Sequence, residues 1–220
     1  MLRRLIFPLL LGLAGCAVLV SLGVWQLQRL AWKEAVLAEI EARIGADPVA
    51  VPADPDPAAD RFLPVTATGT TGEVLFVLTS RAQVGAGHRV VAAFETDDGR
   101  RLLLDEGFRP GNDIPDLPPR TLTVTGNLHW PDETDGFTPD PDGPLWFARD
   151  VPAMAEALGT EPVLIVARTV DGEAAATPEP VGTEGIPNNH LGYAIQWFGL
   201  AAVWAGMTVF LLWRMSRRTR

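Results

Sequence analysis

Residues 5–27 read LIFPLLLGLAGCAVLVSLGVWQL, about 23 residues without a charged side chain. A second run of about the same length, LGYAIQWFGLAAVWAGMTVFLLW, covers residues 191–213. An α-helix rises about 1.5 Å per residue, so either run is long enough to cross a hydrocarbon core about 30 Å thick. We therefore expect two transmembrane helices, one at each end of the chain, in contact with the lipid bilayer. Small residues are expected to let them pack closely, and four are candidates for that contact: Ala17, Ser21, Ala202 and Gly206.

The distribution of charge predicts the orientation of these helices. All 27 acidic residues lie between the two apolar runs together with 12 of the 18 basic residues, so the middle of the chain has a net charge of −15. Short arginine-rich flanks stay in the cytoplasm. The sequence thus predicts cytoplasmic tails at 1–4 and 214–220 and an exported, periplasmic domain at 28–190, in a bacterial inner membrane. The six basic residues outside the runs are Arg3, Arg4, Arg214, Arg217, Arg218 and Arg220.

The only cysteine, Cys16, lies within the first apolar run. It excludes an intramolecular disulfide and argues against a thiol-based copper carrier, which needs two thiolates or a methionine cluster. Arg3-Arg4, an apolar stretch and then Leu13-Ala14-Gly15-Cys16 also resemble a lipoprotein signal, in which Cys16 would be lipidated after cleavage. Because residues 17–24 continue almost wholly apolar to Trp25, an uncleaved anchor is favoured over a cleaved signal.

The segments beside the first run predict a long helix followed by a loop. Gln26–Ile44 lacks Gly and Pro and repeats apolar residues at helical spacing, so the helix is expected to continue until Gly45 ends it. Asp47–Asp60 consists largely of Ala, Pro, Asp and Val and is expected to lack regular structure. Pro178–Pro187 is expected to be the loop that returns the chain to the membrane.

The exported domain is predicted to be rich in β-structure. Asp98-Gly99 is a predicted hairpin turn, and Val151–Leu158 is a predicted helix with Asp150 as N-cap and Gly159 after its end. Together with six short runs of β-branched and apolar residues, these features favour a small antiparallel β-barrel or sandwich with one or two helices, flanked by the two terminal transmembrane helices. The predicted strands are Val65–Thr68, Val74–Thr79, Val90–Phe94, Leu102–Leu104, Leu122–Thr125 and Val163–Val170.

The residues of this domain show no catalytic pattern. None of the three serines lies in a nucleophile elbow, and the sequence has no zinc-site or phosphate-loop spacing. His88 and His129 are interpreted as polar strand or turn residues rather than ligands. Asp105-Glu106 is interpreted as a solvated turn. The sequence therefore disfavours an enzyme.

Polar and aromatic residues gather at the outer end of each predicted transmembrane helix. An aromatic belt with snorkelling cations accounts for the Trp, Arg and Lys residues among them. That interpretation does not explain the Asn-Asn-His run or the glutamine further into the second helix. The residues are Trp25, Gln26, Arg29, Trp32 and Lys33 at the first helix, and Asn188, Asn189, His190, Tyr193, Gln196 and Trp197 at the second.

A second interpretation of this region is a haem site. His190, Trp197 and Trp204 are seven residues apart and share one helix face, with Tyr193 beside them. A neutral imidazole at the interface above an aromatic stripe is suited to ligate haem iron, and Arg29 or Lys33 is suited to meet the haem propionates. Residue chemistry alone leaves this interpretation and the aromatic belt open.

The same two regions resemble the signatures of the Surfeit-locus-one family, whose members are assembly factors for cytochrome c oxidase. Gly23-Val24-Trp25-Gln26-Leu27-Gln28-Arg29 with Trp32-Lys33 resembles the N-terminal signature. Asn188-Asn189-His190-Leu191-Gly192-Tyr193-Ala194 with Trp197-Phe198 resembles the C-terminal one. Interior segments match more loosely, with departures at Ala93, Glu106 and Phe108. These segments are Gly87–Val90 followed by Phe94, Leu104–Pro110, Gly126–Pro131 and Trp146–Asp150.

The resemblance implies a non-enzymatic role in maturing the oxidase. Haem a is the implied transient cargo, oxidase subunit I and haem a synthase are the implied partners, and no nucleic-acid partner is expected. His190 is the implied axial ligand of the haem iron. Two alternatives remain: a scaffold that stabilises nascent subunit I without haem, and a membrane-tethered exported enzyme. The residues expected to bind the cofactor are His190, Trp197, Tyr193, Arg29, Trp25 and Gln26.

Overall fold

The computed structural model describes residues 2–184 and 186–217, and their side chains from Leu5 onwards. The remaining residues, including Arg218 and Arg220 of the predicted cytoplasmic tail and Gly185 of the predicted return loop, lie outside the described residues. In chain order the elements are α1 (Leu2–Ile44), β1 (Val49–Ala50), β2 (Pro64–Arg81), β3 (Gly85–Thr96), β4 (Arg101–Pro110), β5 (Thr121–Leu128), β6 (Leu145–Trp146), α2 (Val151–Leu158), β7 (Leu164–Asp171) and α3 (His190–Arg217).

The chain divides into two compact units. One contains the two chain ends, up to Glu39 and from Glu184, and the other is Ile40–Thr183. Helices α1 and α3 are each long and apolar enough to be candidate membrane-spanning helices by length and composition. Helix α1 continues without a break to Ile44, as the spacing of its apolar residues predicts, and includes Pro8. The two terminal helices therefore fit a membrane protein.

The strands of the second unit form one mixed sheet. Hydrogen-bonded strands follow one another across the sheet in the order β1-β2-β3-β4-β7-β5. In addition, β2 pairs with β5 and β6 pairs with β2. The pairs β2–β3, β3–β4, β5–β7 and β2–β5 are antiparallel, whereas β4–β7, β1–β2 and β2–β6 are parallel. The expected domain rich in β-structure with few helices is confirmed, but the expected antiparallel arrangement is wrong, because the sheet is mixed. The chain between β4 and β7 is long and contains β5, β6 and α2, and such a connection permits the parallel pairing that a tight turn cannot.

One long strand replaces two predicted ones. Val65–Thr68 and Val74–Thr79 both belong to β2, whose pairing with β3 shifts register between Thr71 and Val74. Because a β-bulge bends a strand, the first part of β2 pairs mainly with β5 and the second part with β3. The other four predicted strands fall within β3, β4, β5 and β7 to within one residue, and the predicted loop Asp47–Asp60 contains the short strand β1.

Both faces of the central strands are buried. Leu103 packs in a cluster with Met154 of α2, whereas its neighbours Leu102 and Leu104 pack in a second cluster with Phe94. Successive side chains of a strand point to opposite faces, so these two clusters lie on opposite sides of the sheet. Burial on both sides explains why the predicted strands are continuous apolar runs rather than alternating ones.

The predicted ends of α2 and the predicted hairpin turn are confirmed. The Asp150 carboxylate accepts a hydrogen bond from the backbone N–H of Ala153, and Gly159 ends the helix in the left-handed conformation with φ 60°. The backbone N–H of Gly159 donates to carbonyl groups in the last turn of the helix, which would otherwise lack hydrogen-bond donors. Gly99 has φ 83° in the turn between β3 and β4.

Candidate functional site

Glycine residues on α1 allow α3 to approach closely. A β-carbon added at Gly12 would lie 2.2 Å from Cγ2 of Thr208, and one at Gly23 would lie 2.8 Å from the ring of Phe198. Early residues of α1 thus contact late residues of α3, so the two helices run antiparallel. The approach leaves no room for larger side chains at these glycines.

Trp204 occupies the space beside two of the glycines. Its indole Nε1 donates a hydrogen bond to the carbonyl oxygen of Gly12 at 3.1 Å, and a β-carbon at Gly15 would lie 2.3 Å from the same nitrogen. Next to Gly15, Sγ of Cys16 lies 3.9 Å from the carbonyl oxygen of Ala201. An indole N–H that is partly buried between apolar helices needs an acceptor, and the carbonyl of Gly12 supplies it.

The small residues at this helix contact differ from the expected ones. The buried small residues of α3 are Ala194 and Ala201. Small residues occur on every face of both helices, so composition alone does not identify the face that meets the partner helix. The four residues expected at the contact are exposed instead: Ala17, Ser21, Ala202 and Gly206.

Two of the predicted site residues are in direct contact. Nδ1 of His190, the first residue of α3, lies 2.8 Å from Oε1 of Gln26 on α1. Gln26 is buried, with 9% of its surface exposed, and His190 is half-buried. The hydrogen bond joins the two segments that resemble the family signatures. The imidazole is thus held through one ring nitrogen at the beginning of α3.

The other predicted site residues are more open. Trp25 and Tyr193 are about half exposed, and Trp197 is half-buried. The guanidinium of Arg29 lies 3.9 Å from the ring centroid of Trp32 and forms no ion pair with a residue that the structure describes. Within the described residues none of these four has a hydrogen bond or ring contact with Gln26 or His190. Their participation in a cofactor site stays a prediction.

Asp105 and Glu106, expected in a solvated turn, are fully buried in β4. Val91 pairs with Asp105 and Val90 pairs with Gly107, so Glu106 is the extra residue of a β-bulge. Gly107 has φ 113°, which only glycine adopts readily, and a β-carbon there would lie 2.0 Å from the carbonyl oxygen of Thr177. The expectation was wrong because two acidic residues before a glycine are typical of an exposed turn. The arginines that allow these carboxylates to be buried are distant in sequence and give no local signal.

Asp105 belongs to a row of alternating charges. Its Oδ2 accepts a hydrogen bond from Nε of Arg89 at 2.8 Å and one from Nη1 of Arg149 at 3.0 Å. Three guanidinium groups are matched by three carboxylates, so the row, which is buried around Asp105 and partly exposed at its ends, carries no excess charge. In spatial order its members are Arg81, Glu179, Arg89, Asp105, Arg149 and Glu133.

The row is held in its charged form by its own contacts. The hydrogen bond from Arg81 holds the pKa of Glu179 below its usual range, and the nearby Arg89 acts in the same direction. Burial opposes the charged form of Arg149, but hydrogen bonding to Glu133 and the charge of Asp105 raise its pKa above the ordinary value. Each charge therefore stabilises its neighbours against protonation or deprotonation.

The unit Ile40–Thr183, called the central unit below, contains two histidines, and each lies against an aromatic ring. His88 is buried and lies edge-on to Phe76, while His129 stacks on Phe62 with 5.4 Å between ring centroids. Burial lowers the pKa of His129 to about 4, with a further contribution from the charge of Arg149. Among the described residues no group of three or more His, Cys, Asp or Glu side chains is placed to hold a metal ion.

Comparison with known proteins identifies the family. The family model described as the SURF1 family matches residues 13–202. The chain belongs to the SURF1 family. Surfeit locus protein 1 of Homo sapiens is 30% identical, over 83% of this chain and 70% of the relative. The rat protein of the same name is 28% identical over 83% and 68%, and the SURF1-like protein of Monosiga brevicollis is 30% identical over 87% and 82%.

The resemblance inferred from the terminal segments is thereby confirmed. Both segments lie within the range that matches the SURF1 family, and so does the Gln26–His190 contact. The family is known generally for oxidase assembly factors, which agrees with a non-enzymatic role. The row of alternating charges was not expected from residue chemistry. A signal was nevertheless present, because Arg89, Asp105 and Arg149 all lie in interior segments that resemble the family.

Proposed function

We propose that this SURF1-family protein aids the assembly of cytochrome c oxidase by holding haem a and helping its insertion into oxidase subunit I. The observation that carries the proposal is the hydrogen bond between Gln26 and His190, which fixes an imidazole between two candidate membrane-spanning helices. Haem a is transient cargo in this proposal, and haem a synthase is the partner that would supply it. The helices lie in a bacterial inner membrane with both termini cytoplasmic and the central domain periplasmic.

The residues at this position fit a haem. A bound haem would supply an iron atom, and His190 would hold it through an imidazole nitrogen. Nδ1 of His190 is engaged by Gln26, whereas its Nε2 has no hydrogen-bond partner among the described residues. The half-buried Trp197, seven residues further along α3, offers an apolar surface for the macrocycle. The guanidinium of Arg29, three residues after Gln26, has no ion-pair partner among the described residues and suits a propionate.

The scaffold alternative has one observation in its favour. Trp25 and Tyr193 expose about half of their surface on helices that fit a membrane, and aromatic side chains of this kind are enriched where protein surfaces meet. A scaffold would use them to contact the helices of nascent subunit I without holding haem. Such a scaffold has no need of the unengaged Nε2 of His190, so that residue separates the two functions.

The decisive experiment replaces His190 with alanine. The unaltered chain, purified in mild detergent from cells that make haem a, is expected to carry haem with a Soret band. His190→Ala removes the only imidazole at this end of α3 and should abolish or shift that band and lower the haem content of the oxidase. Ile195→Ala, an exposed change on the same helix, is the control and should leave the spectrum unchanged. An identical haem spectrum in His190→Ala would contradict the ligand assignment and favour the scaffold.

A further inference from the structure

We infer that Gln26 is a positioning residue that sets the tautomer of His190, leaving Nε2 as the unprotonated nitrogen. Its side-chain Oε1 lies 2.8 Å from Nδ1 of His190. An amide oxygen only accepts, so the imidazole must donate through Nδ1–H. A neutral imidazole has one N–H, and the proton at Nδ1 therefore leaves the lone pair of Nε2 free. The use of that lone pair for haem iron rests on the function proposed above, whereas the tautomer does not.

The packing around Gln26 fixes the geometry of this bond. One turn earlier on α1, Gly23 lies against the ring of Phe198, and a β-carbon there would come within 2.8 Å of it. On α3, Ala194 lies one turn after His190 and is 1% exposed. These two small residues hold the helices at a short and constant separation. The donor and acceptor are consequently preorganised before any ligand arrives.

Burial makes Gln26 dependent on this partner. A buried amide oxygen without a hydrogen bond costs on the order of 1–3 kcal/mol. Within the part of the chain that the structure describes, His190 is the only side chain in hydrogen-bond contact with Gln26. The neighbouring glutamine of α1, Gln28, is exposed and has no such constraint. The buried amide therefore favours one ring orientation and one tautomer of His190.

A neutral acceptor also tunes the strength of the ligand. A group that accepts from the second nitrogen of an imidazole raises the basicity of the first, and a carboxylate does so more strongly than an amide. Glutamine at position 26 thus orients His190 without giving it the stronger donor character that a carboxylate would give. A moderate axial ligand suits cargo that must be passed on. Gln26→Glu is accordingly expected to keep the orientation while binding haem more tightly.

The tautomer is measured directly on the haem-free full-length chain. The protein, with ¹⁵N-labelled histidine, is placed in detergent micelles at mildly alkaline pH, and two-bond ¹H–¹⁵N correlation spectra identify the protonated nitrogen. The signals of His190 are those lost in His190→Ala. The expected result is Nδ1–H in the unaltered chain and in Gln26→Glu, and a change towards Nε2–H in Gln26→Leu. Gln28→Leu is the matched control and should leave the spectrum unchanged. An Nε2–H tautomer in the unaltered chain, or no change in Gln26→Leu, overturns the inference.

Haem titration of the same variants separates this inference from the proposed function. Gln26→Leu is expected to weaken haem binding about 10–100-fold, as the loss of a partner behind a metal ligand does in other proteins. Gln26→Glu should restore or exceed the original affinity. Unchanged affinity in Gln26→Leu, in a chain that binds haem through His190, would overturn the inference and leave the proposed function intact. Nδ1–H in a chain that binds no haem would overturn the proposed function and support the tautomer.

Discussion

Glu106 is fully buried in β4, and both of its carboxylate oxygens accept hydrogen bonds from Arg120, at 2.7 and 2.8 Å. The same carboxylate accepts the backbone N–H of Ala175 at 2.8 Å. Next to it, Phe108 and Thr177 exchange two backbone hydrogen bonds of 2.9 and 3.0 Å. At the scale of residues, the ion pair with Arg120 thus ties β4 to the beginning of β5. The hydrogen bonds of Ala175 and Thr177 tie β4 to the segment that follows β7.

We predict that Arg120→Met destabilises the central domain by about 3–5 kcal/mol, because it leaves the Glu106 carboxylate buried without a counter-charge. The double variant Arg120→Met with Glu106→Leu should recover part of that loss, since no charge then remains buried. Urea unfolding of the full-length chain in mild detergent, followed by tryptophan fluorescence, measures both. Arg61→Met, which removes an exposed guanidinium, is the control and should change stability by less than about 0.5 kcal/mol. Equal stability of the unaltered chain and Arg120→Met would contradict the role of this pair.

At the scale of elements, the contact between α1 and α3 depends on glycines rather than on large apolar side chains. Lipid is as apolar as leucine, so helices in a bilayer associate through close packing and interhelical hydrogen bonds. Gly12 packs closely against Thr208 and Gly15 against Trp204, and the Trp204 indole supplies a hydrogen bond. The same packing brings Gln26 to His190, so helix association and site geometry have one cause.

Valine at position 15 is expected to separate the two helices, because a β-carbon there would overlap the indole of Trp204. The native Cys16 reports the separation. Its Sγ lies 3.9 Å from the carbonyl oxygen of Ala201, so a chain with Ala201→Cys should form an intramolecular disulfide under mild oxidant, seen as faster migration on a non-reducing gel. Gly15→Val should reduce that disulfide several-fold. Gly206→Val, at a glycine with open space around it, is the matched control and should leave it unchanged. Equal yields would show that Gly15 is not at the contact.

At the scale of the whole molecule, the arginines of the central unit make their contacts with other residues of the same unit. Between Ile40 and Thr183 the sequence has ten arginines, no lysine and 24 acidic residues. Five of the arginines form ion pairs, four donate to backbone carbonyls, and Arg61 lies over the ring of Phe62. The excess negative charge is therefore not balanced within this unit. It most simply keeps the domain soluble.

The charge distribution also predicts the topology of the chain. A reporter that works only in the cytoplasm should be active when it is fused after Arg220, because arginine-rich flanks are retained there. A reporter that works only outside the cytoplasm should be active when it is inserted within Asp47–Asp60. The controls exchange the two reporters between the two positions, and neither reporter should then be active. Activity of the cytoplasmic reporter within Asp47–Asp60 would contradict the predicted orientation.

The sequence by itself determined the elements whose causes are local. Two uninterrupted apolar runs predict the terminal helices, and helical spacing places the end of α1 at Ile44. Asp150 and Gly159 determine the ends of α2 because capping depends on residues within one turn. The family signatures also identified His190 and Gln26 as candidate site residues, since chemistry and spacing were both visible there.

Only the tertiary structure decided what depends on residues distant in sequence. Local sequence predicts a turn at Asp105 and Glu106, but the structure buries both. Their burial is possible because they pair with Arg89, Arg120 and Arg149. The parallel pairing of β4 with β7 depends on the path of a long connection, which local propensity does not encode. The contact of Gln26 with His190 spans 164 positions and exists because the helices pack at glycines. This packing brings the amide of Gln26 to Nδ1 of His190, and the inferred tautomer, with Nε2 left free, depends on that contact.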